Sequence, residues 1–449
     1  MAKTYALLPS LCALSLTVAC FEDPAATGSD SADTTGDGDG DPGDGDGDPG
    51  DGDGDPGDGD GDPGDGDGDP GDGDGDPGDG DGDPGDGDGD GDGDPQPVCG
   101  DGQLTGNEVC YDEPTVVQVP LANAQGAGIA DLDNDGHLDV VFSSFTASAI
   151  SLLGDGTGSF ASPNAINLGA NAGVVRIALA PIADNVPDLV AADLVNGQMV
   201  RVRGDGDGTF ASPGNFPGAR WDVALADMNG DNRLDMAYTL MNPEGVGVRL
   251  GTAAESFGNA LTVSYNFADP FDVAVGDVTG DDQPDVVVGD SGADQVVVFS
   301  GNGTGNLTFA QTIATENGPS SVALGDLDGD GDLDVIVGAG PVVQVFGSPN
   351  FALADETTVV GGVLSTAVVD IDGDGNLDVV TLDSGQTPAL SLMLGNGDLT
   401  LQDQIVINLP DMIYPYDLAV GDLNEDGAPD FAVAAAGQSP FSVIVLSGA

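Results

Sequence analysis

The sequence predicts an all-β protein made of repeats that each have the length of one four-stranded propeller blade. Seven apolar segments end in glycine and recur every 46 to 53 residues. This period suits a propeller blade and is too long for a leucine-rich or ankyrin repeat. No stretch sustains a 3.6-residue apolar period, whereas β-branched runs bounded by Gly, Asp and Pro are frequent, which excludes a helical solenoid. The seven segments are AISLLG (149–154), MVRVRG (199–204), VGVRLG (246–251), VVVFSG (296–301), VVQVFG (342–347), LSLMLG (390–395) and VIVLSG (443–448).

Within each repeat, the order of the segments predicts four antiparallel strands. A short strand of small residues comes first, such as VAVGD (273–277), because Ala and Gly suit the crowded position nearest a propeller axis. An Asp-rich loop and an apolar strand follow, such as DVVVG (285–289), and then the glycine-ended strand. A hairpin such as GDGTGSF (154–160) leads to a more polar outer strand, as expected of a sheet edge.

The two ends of the repeat region predict how the ring of blades closes. The last repeat stops directly after its third strand, whereas TVVQVPL (115–121) is a strand that belongs to no repeat. Pairing these two segments would complete the last blade and remove the open edges of the ring.

The Asp-rich loops share the template D-x-D/N/T-x-D-x-x-x-D and predict calcium sites. Calcium takes six to eight oxygen ligands, and alternate carboxylates at positions 1, 3 and 5 converge on one point. A backbone carbonyl at position 7 and the Asp at position 9 would complete the shell. Plain turn chemistry and magnesium are the alternatives, but six loops in register favour calcium. The candidate ligands are Asp131, Asp133, Asp135 and Asp139; Asp227, Asn229, Asp231 and Asp235; Asp277, Thr279, Asp281 and Asp285; Asp326, Asp328, Asp330 and Asp334; Asp370, Asp372, Asp374 and Asp378; and Asp422, Asn424, Asp426 and Asp430.

The loops differ in expected affinity. Those that begin at Asp131, Asp326 and Asp370 carry four Asp each and should bind most tightly, whereas Thr279 makes its loop the weakest. Position 6 is Gly in four loops, and Asn232 and Asp282 replace it in the others, where both tolerate left-handed backbone.

The second repeat departs from the template. Its segment IALAPIADNVPDLVAAD (177–193) has Pro181 and Ile182 where acids belong, and only Asp184 and Asp188 remain. We therefore expect a blade that binds no metal.

From about residue 114 onwards, these repeats resemble FG-GAP repeats, also called VCBS-type repeats, as in the integrin α-subunit propeller. The resemblance implies a seven-bladed β-propeller over 114–449, with calcium loops on one face between the first and second strands of a blade.

The first quarter of the chain predicts a disordered tether at 20–95. Between Gly36 and Pro95 the sequence is almost wholly Gly, Asp and Pro, so it cannot bury enough apolar surface to fold. The whole chain has 79 acidic and 7 basic residues and a net charge of −72. That balance argues against binding nucleic acid or anionic lipid through charge.

The N-terminus predicts export. An apolar run after Lys3 leads to LTVAC (16–20), which resembles a bacterial lipoprotein signal peptide (1–19) with lipid on Cys20. An ordinary secretory signal is the alternative. Cys99 and Cys110 then form an even pair in an exported chain, which predicts a disulfide in a short stalk at 96–113. Attachment to the outer membrane or cell surface would be through the lipid alone, and the protein is expected to be monomeric.

Three aromatic residues, each followed by Asp, precede innermost strands and predict a second site on the face opposite the calcium loops. Aromatic rings beside carboxylates could stack on a sugar or hold a cation, or they could only pack around the axis. The candidates are Trp221, Asp222, Phe271, Asp272, Tyr416 and Asp417.

The sequence favours a binding protein over an enzyme. His137 at position 7 of the first loop is the single histidine and is expected to point into solvent. No G-x-S-x-G nucleophile motif occurs, and nearly all carboxylate pairs belong to the predicted metal loops. The expected function is an anchored adhesion or interaction module for an extracellular or periplasmic protein or glycan. A lectin and a polysaccharide lyase or hydrolase are the alternatives.

Overall fold

The computed structural model describes Tyr111 and residues 115–445, except for 122, 147, 171, 183, 219–220, 242–243, 254–255, 386, 410–413 and 437–440. The predicted signal peptide, Cys20, the tether and the Cys99–Cys110 pair lie outside the described residues. Within that part of the chain, no helix is long and apolar enough to cross a membrane.

The described strands form seven four-stranded antiparallel sheets. Six sheets consist of four consecutive strands each, and the seventh combines the first strand with the last three. The fold is therefore an all-β propeller of four-stranded blades, as the repeats predicted. Blade 1 comprises β2 (Ala124–Ala130), β3 (Asp139–Ser144), β4 (Ser148–Leu152) and β5 (Asn164–Asn167); blade 2, β6 (Val174–Ala180), β7 (Asp188–Asp193), β8 (Gln198–Val202) and β9 (Gly214–Pro217); blade 3, β10 (Val223–Ala226), β11 (Asp235–Met241), β12 (Glu244–Thr252) and β13 (Ser256–Ser264); blade 4, β14 (Pro270–Gly276), β15 (Asp285–Asp290), β16 (Gln295–Gly301) and β17 (Leu307–Ala314); blade 5, β18 (Pro319–Gly325), β19 (Asp334–Ala339), β20 (Val342–Gly347) and β21 (Ala352–Thr358); blade 6, β22 (Gly362–Val369), β23 (Asp378–Ser384), β24 (Ala389–Met393) and β25 (Ile405–Asn408); and blade 7, β26 (Tyr414–Gly421), β27 (Asp430–Ala436) and β28 (Phe441–Val445) with β1 (Thr115–Gln118).

The first strand of every blade lies at the axis. Strands β2, β6, β10, β14, β18, β22 and β26 contact one another in that order, and β26 returns to β2, so the ring is closed. A small residue is required at Gly126, where β2 meets the next blade. A Cβ atom added to Gly126 would lie 2.5 Å from the Ser143 hydroxyl and 3.2 Å from the Val175 carbonyl oxygen of the next blade.

The core lies between the faces of adjacent blades. The middle strands are buried along their whole length in several blades, as in β15, β19 and β20. In one such layer, Leu382 and Leu392 of blade 6 pack with Phe431 and Val433 of blade 7. Each fully buried side chain of this size contributes about 1.5–3 kcal/mol. The outer strands are more exposed, as in β21, and this agrees with their polar sequence.

The predicted closure of the ring is confirmed. Strand β1 pairs antiparallel with β28 in a register that sets Thr115 opposite Ile444 and Gln118 opposite Phe441. The N-terminal strand thus supplies the outer strand of the last blade.

Candidate metal centres and the propeller axis

The six Asp-rich loops share one hydrogen-bonding pattern. In every loop the carboxylate at position 1 accepts the backbone N–H of position 6, over 2.6 to 3.2 Å. The carboxylate at position 5 accepts the N–H of position 7, over 2.7 to 3.0 Å. These bonds wrap the chain around its own carboxylates, which brings the acids at positions 1, 3 and 5 to the inside of a turn.

The backbone of each loop is left-handed at two positions. At position 6, Asn232 has φ 62° and Asp282 has φ 60°, in agreement with the sequence-based expectation. Position 4 is also left-handed in all six loops, including Asn134 and Glu425, each with φ 59°. This conformation at position 4 was not predicted, although Gly or Asn occupies it in five loops and signals left-handed backbone.

The Asp at position 9 anchors the loop to its blade. Asp334 accepts the N–H of Leu327 on one oxygen and the N–H of Ser348 on the other, both over 2.9 Å. Four other loops, those of blades 1, 3, 4 and 6, repeat this pair of bonds. Burial raises the pKa of Asp139, Asp334 and Asp378 to about 6. The residue predicted as a metal ligand thus also has a structural role.

In three loops the carboxylates converge closely enough to hold one ion. The clustered oxygens lie within 4.8 Å of one another in each group, and the groups fall in the three loops with four Asp each. In the first loop, Asp131 Oδ1 is buried and has no hydrogen-bond partner among the described residues. A calcium ion would supply the missing partner, so the residues present fit a hard cation. The groups are Asp131, Asp133 and Asp139; Asp326, Asp328 and Asp334; and Asp370, Asp372 and Asp374.

In blade 2, arginine side chains pair with the two remaining acids. Arg201 forms a buried ion pair with Asp188, and Arg203 pairs with Asp184 over 2.6 Å at the surface. Asp188 still accepts the N–H of Gly204 over 3.0 Å, as the position-9 Asp does elsewhere. A guanidinium therefore supplies positive charge in this loop, and the absence of metal there stays a prediction.

His137 has a partner that its sequence context did not predict. Its Nδ1 atom contacts the Glu425 carboxylate in the loop of blade 7, instead of pointing freely into solvent. This hydrogen bond raises the pKa of His137. The contact joins the loops of the first and last blades.

Two of the three predicted aromatic residues come together at the opposite face. Trp221 and Phe271 stack with ring centroids 4.8 Å apart and planes 16° apart, beside Val175. Phe271 is only 4% exposed, so its ring serves packing. Tyr416 lies outside this cluster.

The aspartates that follow these aromatic residues are buried and join neighbouring blades. Asp222 accepts the N–H of Val273 over 3.0 Å, and Asp272 accepts that of Val322 over 2.6 Å. Asp417 accepts the N–H of Ala127 over 2.9 Å, across the junction of blades 7 and 1. Burial raises the pKa of all three carboxyl groups, that of Asp417 to about 7.

The strand order and the recurring loops define a β-propeller whose blades carry Asp-rich turns on one face. Residues 277–337 and 370–433 match the family described as FG-GAP-like repeat, so the chain contains FG-GAP-like repeats.

Solved structures include proteins with a similar fold. One is a crystal structure of BBS1N in complex with ARL6DN, soaked with lead, in which BBS1N resembles this chain in fold. The TM-score is 0.53 and the identity 15%, over 75% of this chain and 97% of that chain. A crystal of the same complex soaked with mercury gives a TM-score of 0.53 and 14% identity, over 76% and 97%. None of the curated proteins matches this chain.

Proposed function

We propose that this protein is a calcium-stabilised interaction module that is exported, anchored through lipid on Cys20 and held away from the outer membrane by its acidic tether. Its propeller binds another protein rather than acting as an enzyme. The anchor and tether are supported by the sequence LTVAC (16–20) and by the Asp-Gly-Pro composition that follows it.

Calcium is supported by the loops themselves. They repeat one geometry in six blades, their ligand atoms are hard oxygens, and the buried Asp131 Oδ1 has no donor in the described part of the chain. The acids at positions 1, 3 and 5 would bind the ion, and the position-9 Asp would join them where its carboxylate lies within the cluster.

The single observation that supports partner binding is an apolar patch on the face opposite the Asp loops. Phe145 is 41% exposed and Val195 is 56% exposed, and they lie in the β3–β4 and β7–β8 turns. Both side chains flank Gly173, since a Cβ atom added there would lie 3.2 Å from Phe145 and 2.5 Å from Val195. Exposed apolar side chains that adjoin one another are typical of protein interaction sites.

Further exposed side chains extend along the same face. Val360 lies two positions before β22 and Tyr414 begins β26, and both are more than half exposed. In the similar solved structure, BBS1N is in complex with ARL6DN, which is consistent with a propeller that binds a protein.

Site-specific photocrosslinking in the producing cells tests this proposal. A photoreactive phenylalanine analogue at position 145 should capture a protein, because this side chain lies in the patch. The matched control is position 309 on outer strand β17, where Phe309 is 51% exposed. Val195→Asp should reduce the crosslink from position 145 at least tenfold, whereas Leu353→Asp, at an equally exposed site on β21, should not.

Equal capture from positions 145 and 309, or capture that Val195→Asp leaves unchanged, would contradict the proposed face. Binding of the calcium-loaded protein on a glycan array without a protein crosslink would favour the lectin alternative, and turnover of a polysaccharide would favour the enzyme.

A further inference from the structure

Seven residues, one from each blade, form a ring around the axis, which we call the axial ring. In six blades the ring residue follows a register shift near the start of the innermost strand, and Asp222 directly precedes β10. Three members are aspartates, one is an arginine, two are serines and one is a glycine. In blade order the ring is Gly126, Arg176, Asp222, Asp272, Ser321, Ser365 and Asp417.

Arg176 is the unusual member of the axial ring. Its side chain is 1% exposed, and none of its three guanidinium nitrogens has a hydrogen-bond partner among the described residues. The Asp272 Oδ1 atom lies 3.8 Å from Nη1, which allows an ion pair but is too long for a hydrogen bond. A buried guanidinium with unmade hydrogen bonds is costly, so its donors require an acceptor.

The carboxylates of the axial ring make no direct hydrogen bond to Arg176, and their oxygens accept hydrogen bonds from other donors. Asp272 accepts Val273 N–H on Oδ1 and Val322 N–H on Oδ2. Asp417 accepts Ala127 N–H on one oxygen and the Ser365 hydroxyl on the other.

One hydroxyl group of the ring is in a similar situation. Ser321 Oγ is buried and has no hydrogen-bond partner in the described part of the chain. Beside Arg176 in the ring, Gly126 contributes no side chain. The axis therefore holds two buried polar groups, the Arg176 guanidinium and the Ser321 hydroxyl, that have no direct partner among the described residues.

We propose that the axial ring is a binding site for ordered water, in which Arg176 donates to water molecules and at least one of them bridges its guanidinium to the Asp272 carboxylate. A water molecule spans a polar separation of this length when it accepts a hydrogen bond from the guanidinium and donates one to the carboxylate. The bridged ring would link blade 2 to blade 4 through the axis.

Water fits this site better than a small anion does. An anion would also accept from Arg176, but three carboxylates surround the site and a single guanidinium opposes them. Repulsion from those carboxylates disfavours chloride or a free carboxylate, whereas water accepts hydrogen bonds without adding charge.

Magnetic relaxation dispersion of water on the full chain tests the proposal. The unchanged protein should show long-lived internal water, and Arg176→Met should lose the amplitude of at least one such molecule. Arg203→Met is the matched control, because its guanidinium lies at the surface, and it should keep the full amplitude.

A second measurement keeps the test decisive if Arg176→Met does not fold. On the unchanged chain, the Arg176 Nε–H resonance is identified by its loss in Arg176→Lys. This resonance should show nuclear and rotating-frame Overhauser effects with water, and the two effects should have opposite signs. No such effect, or equal dispersion amplitudes in wild type and a folded Arg176→Met, would overturn the proposal. Bromide relaxation that is enhanced by wild type but not by Arg176→Met would also overturn the proposal, because that result would identify a bound anion.

Discussion

At the level of single residues, the position-9 aspartates are predicted metal ligands that also have a role in the fold. Asp188 stands in blade 2, where the other acids are missing, and still accepts the N–H of Gly204. This bond therefore does not depend on a metal loop. Such buried carboxylates tie each loop to the end of a strand some 15 residues away in sequence, as Asp139 does with Gly154.

Asp383 provides a test of how burial affects a carboxyl group far from the loops. Its oxygens accept hydrogen bonds from Thr381 and Ser391, and burial raises its pKa to about 6. The folded state therefore retains this proton to higher pH than the unfolded state. Its contribution to the free energy of unfolding should be present below the unfolded pKa, near 4, and be lost as pH rises through 6.

Asp383→Asn should remove this pH dependence. Relative to wild type, the variant should gain up to about 3 kcal/mol in free energy of unfolding between pH 4 and pH 7. Urea unfolding at a series of pH values measures the difference. Asp403→Asn, at an exposed position of the same blade, serves as the control, and parallel pH profiles for wild type and Asp383→Asn would contradict the prediction.

At the level of secondary-structure elements, blade 2 shows that the strand scaffold persists where arginine side chains pair with the remaining loop acids. Strands β6 to β9 pair as in the other blades, although Pro181 and Ile182 replace acids in the loop between β6 and β7. Arg201 on β8 pairs with Asp188 inside the blade and also lies 5.8 Å from the Phe257 ring centroid of blade 3.

Arg201→Met should destabilise the protein by about 3–5 kcal/mol, because it leaves the buried Asp188 carboxylate without its counter-charge. Arg203→Met removes a surface pair and should cost less than about 1 kcal/mol. Urea unfolding in the presence of a calcium chelator compares the two variants independently of the metal loops. Similar losses for both variants would show that the buried pair has no special role.

At the level of the whole molecule, contacts at three different places help to join the first and last blades. Strand β1 completes the sheet of blade 7, Asp417 bonds to the backbone of Ala127, and His137 contacts Glu425. These contacts lie at the outer strand, the axis and the loop face respectively. The junction is therefore secured across the full width of the blade, as a ring without free sheet edges requires.

Removing calcium should lower the melting temperature of the whole propeller. Acids crowded in six loops repel one another in the metal-free protein, and calcium that binds only the folded state stabilises it by mass action. Each saturated site contributes about 3 kcal/mol when free calcium is 100-fold above its Kd.

Calorimetry in calcium and in excess chelator measures this shift, and magnesium at equal concentration is the control for ionic strength. A melting temperature that does not respond to the chelator would contradict calcium binding by the loops.

Much of the fold could be predicted because its signals are local. The strands, the Asp loops and the left-handed position 6 each depend on residues within about ten positions of one another. The pairing of TVVQVPL (115–121) with the last repeat was also predictable, because one strand was missing and one was left over. The partner of His137 was not predictable, since Glu425 lies 288 positions away.

The sequence by itself determined the blade architecture and the candidate calcium ligands, because strand periodicity and carboxylate spacing depend only on residues within a single repeat. Only the tertiary structure decided what the axial residues do. Asp222 and Asp272 bond to backbone 51 and 50 positions away, and Asp417 to backbone 290 positions away. Contacts at such separations arise when the ring closes, so they leave no pattern in any one repeat. For the same reason, the buried environment of Arg176 exists only where seven blades meet.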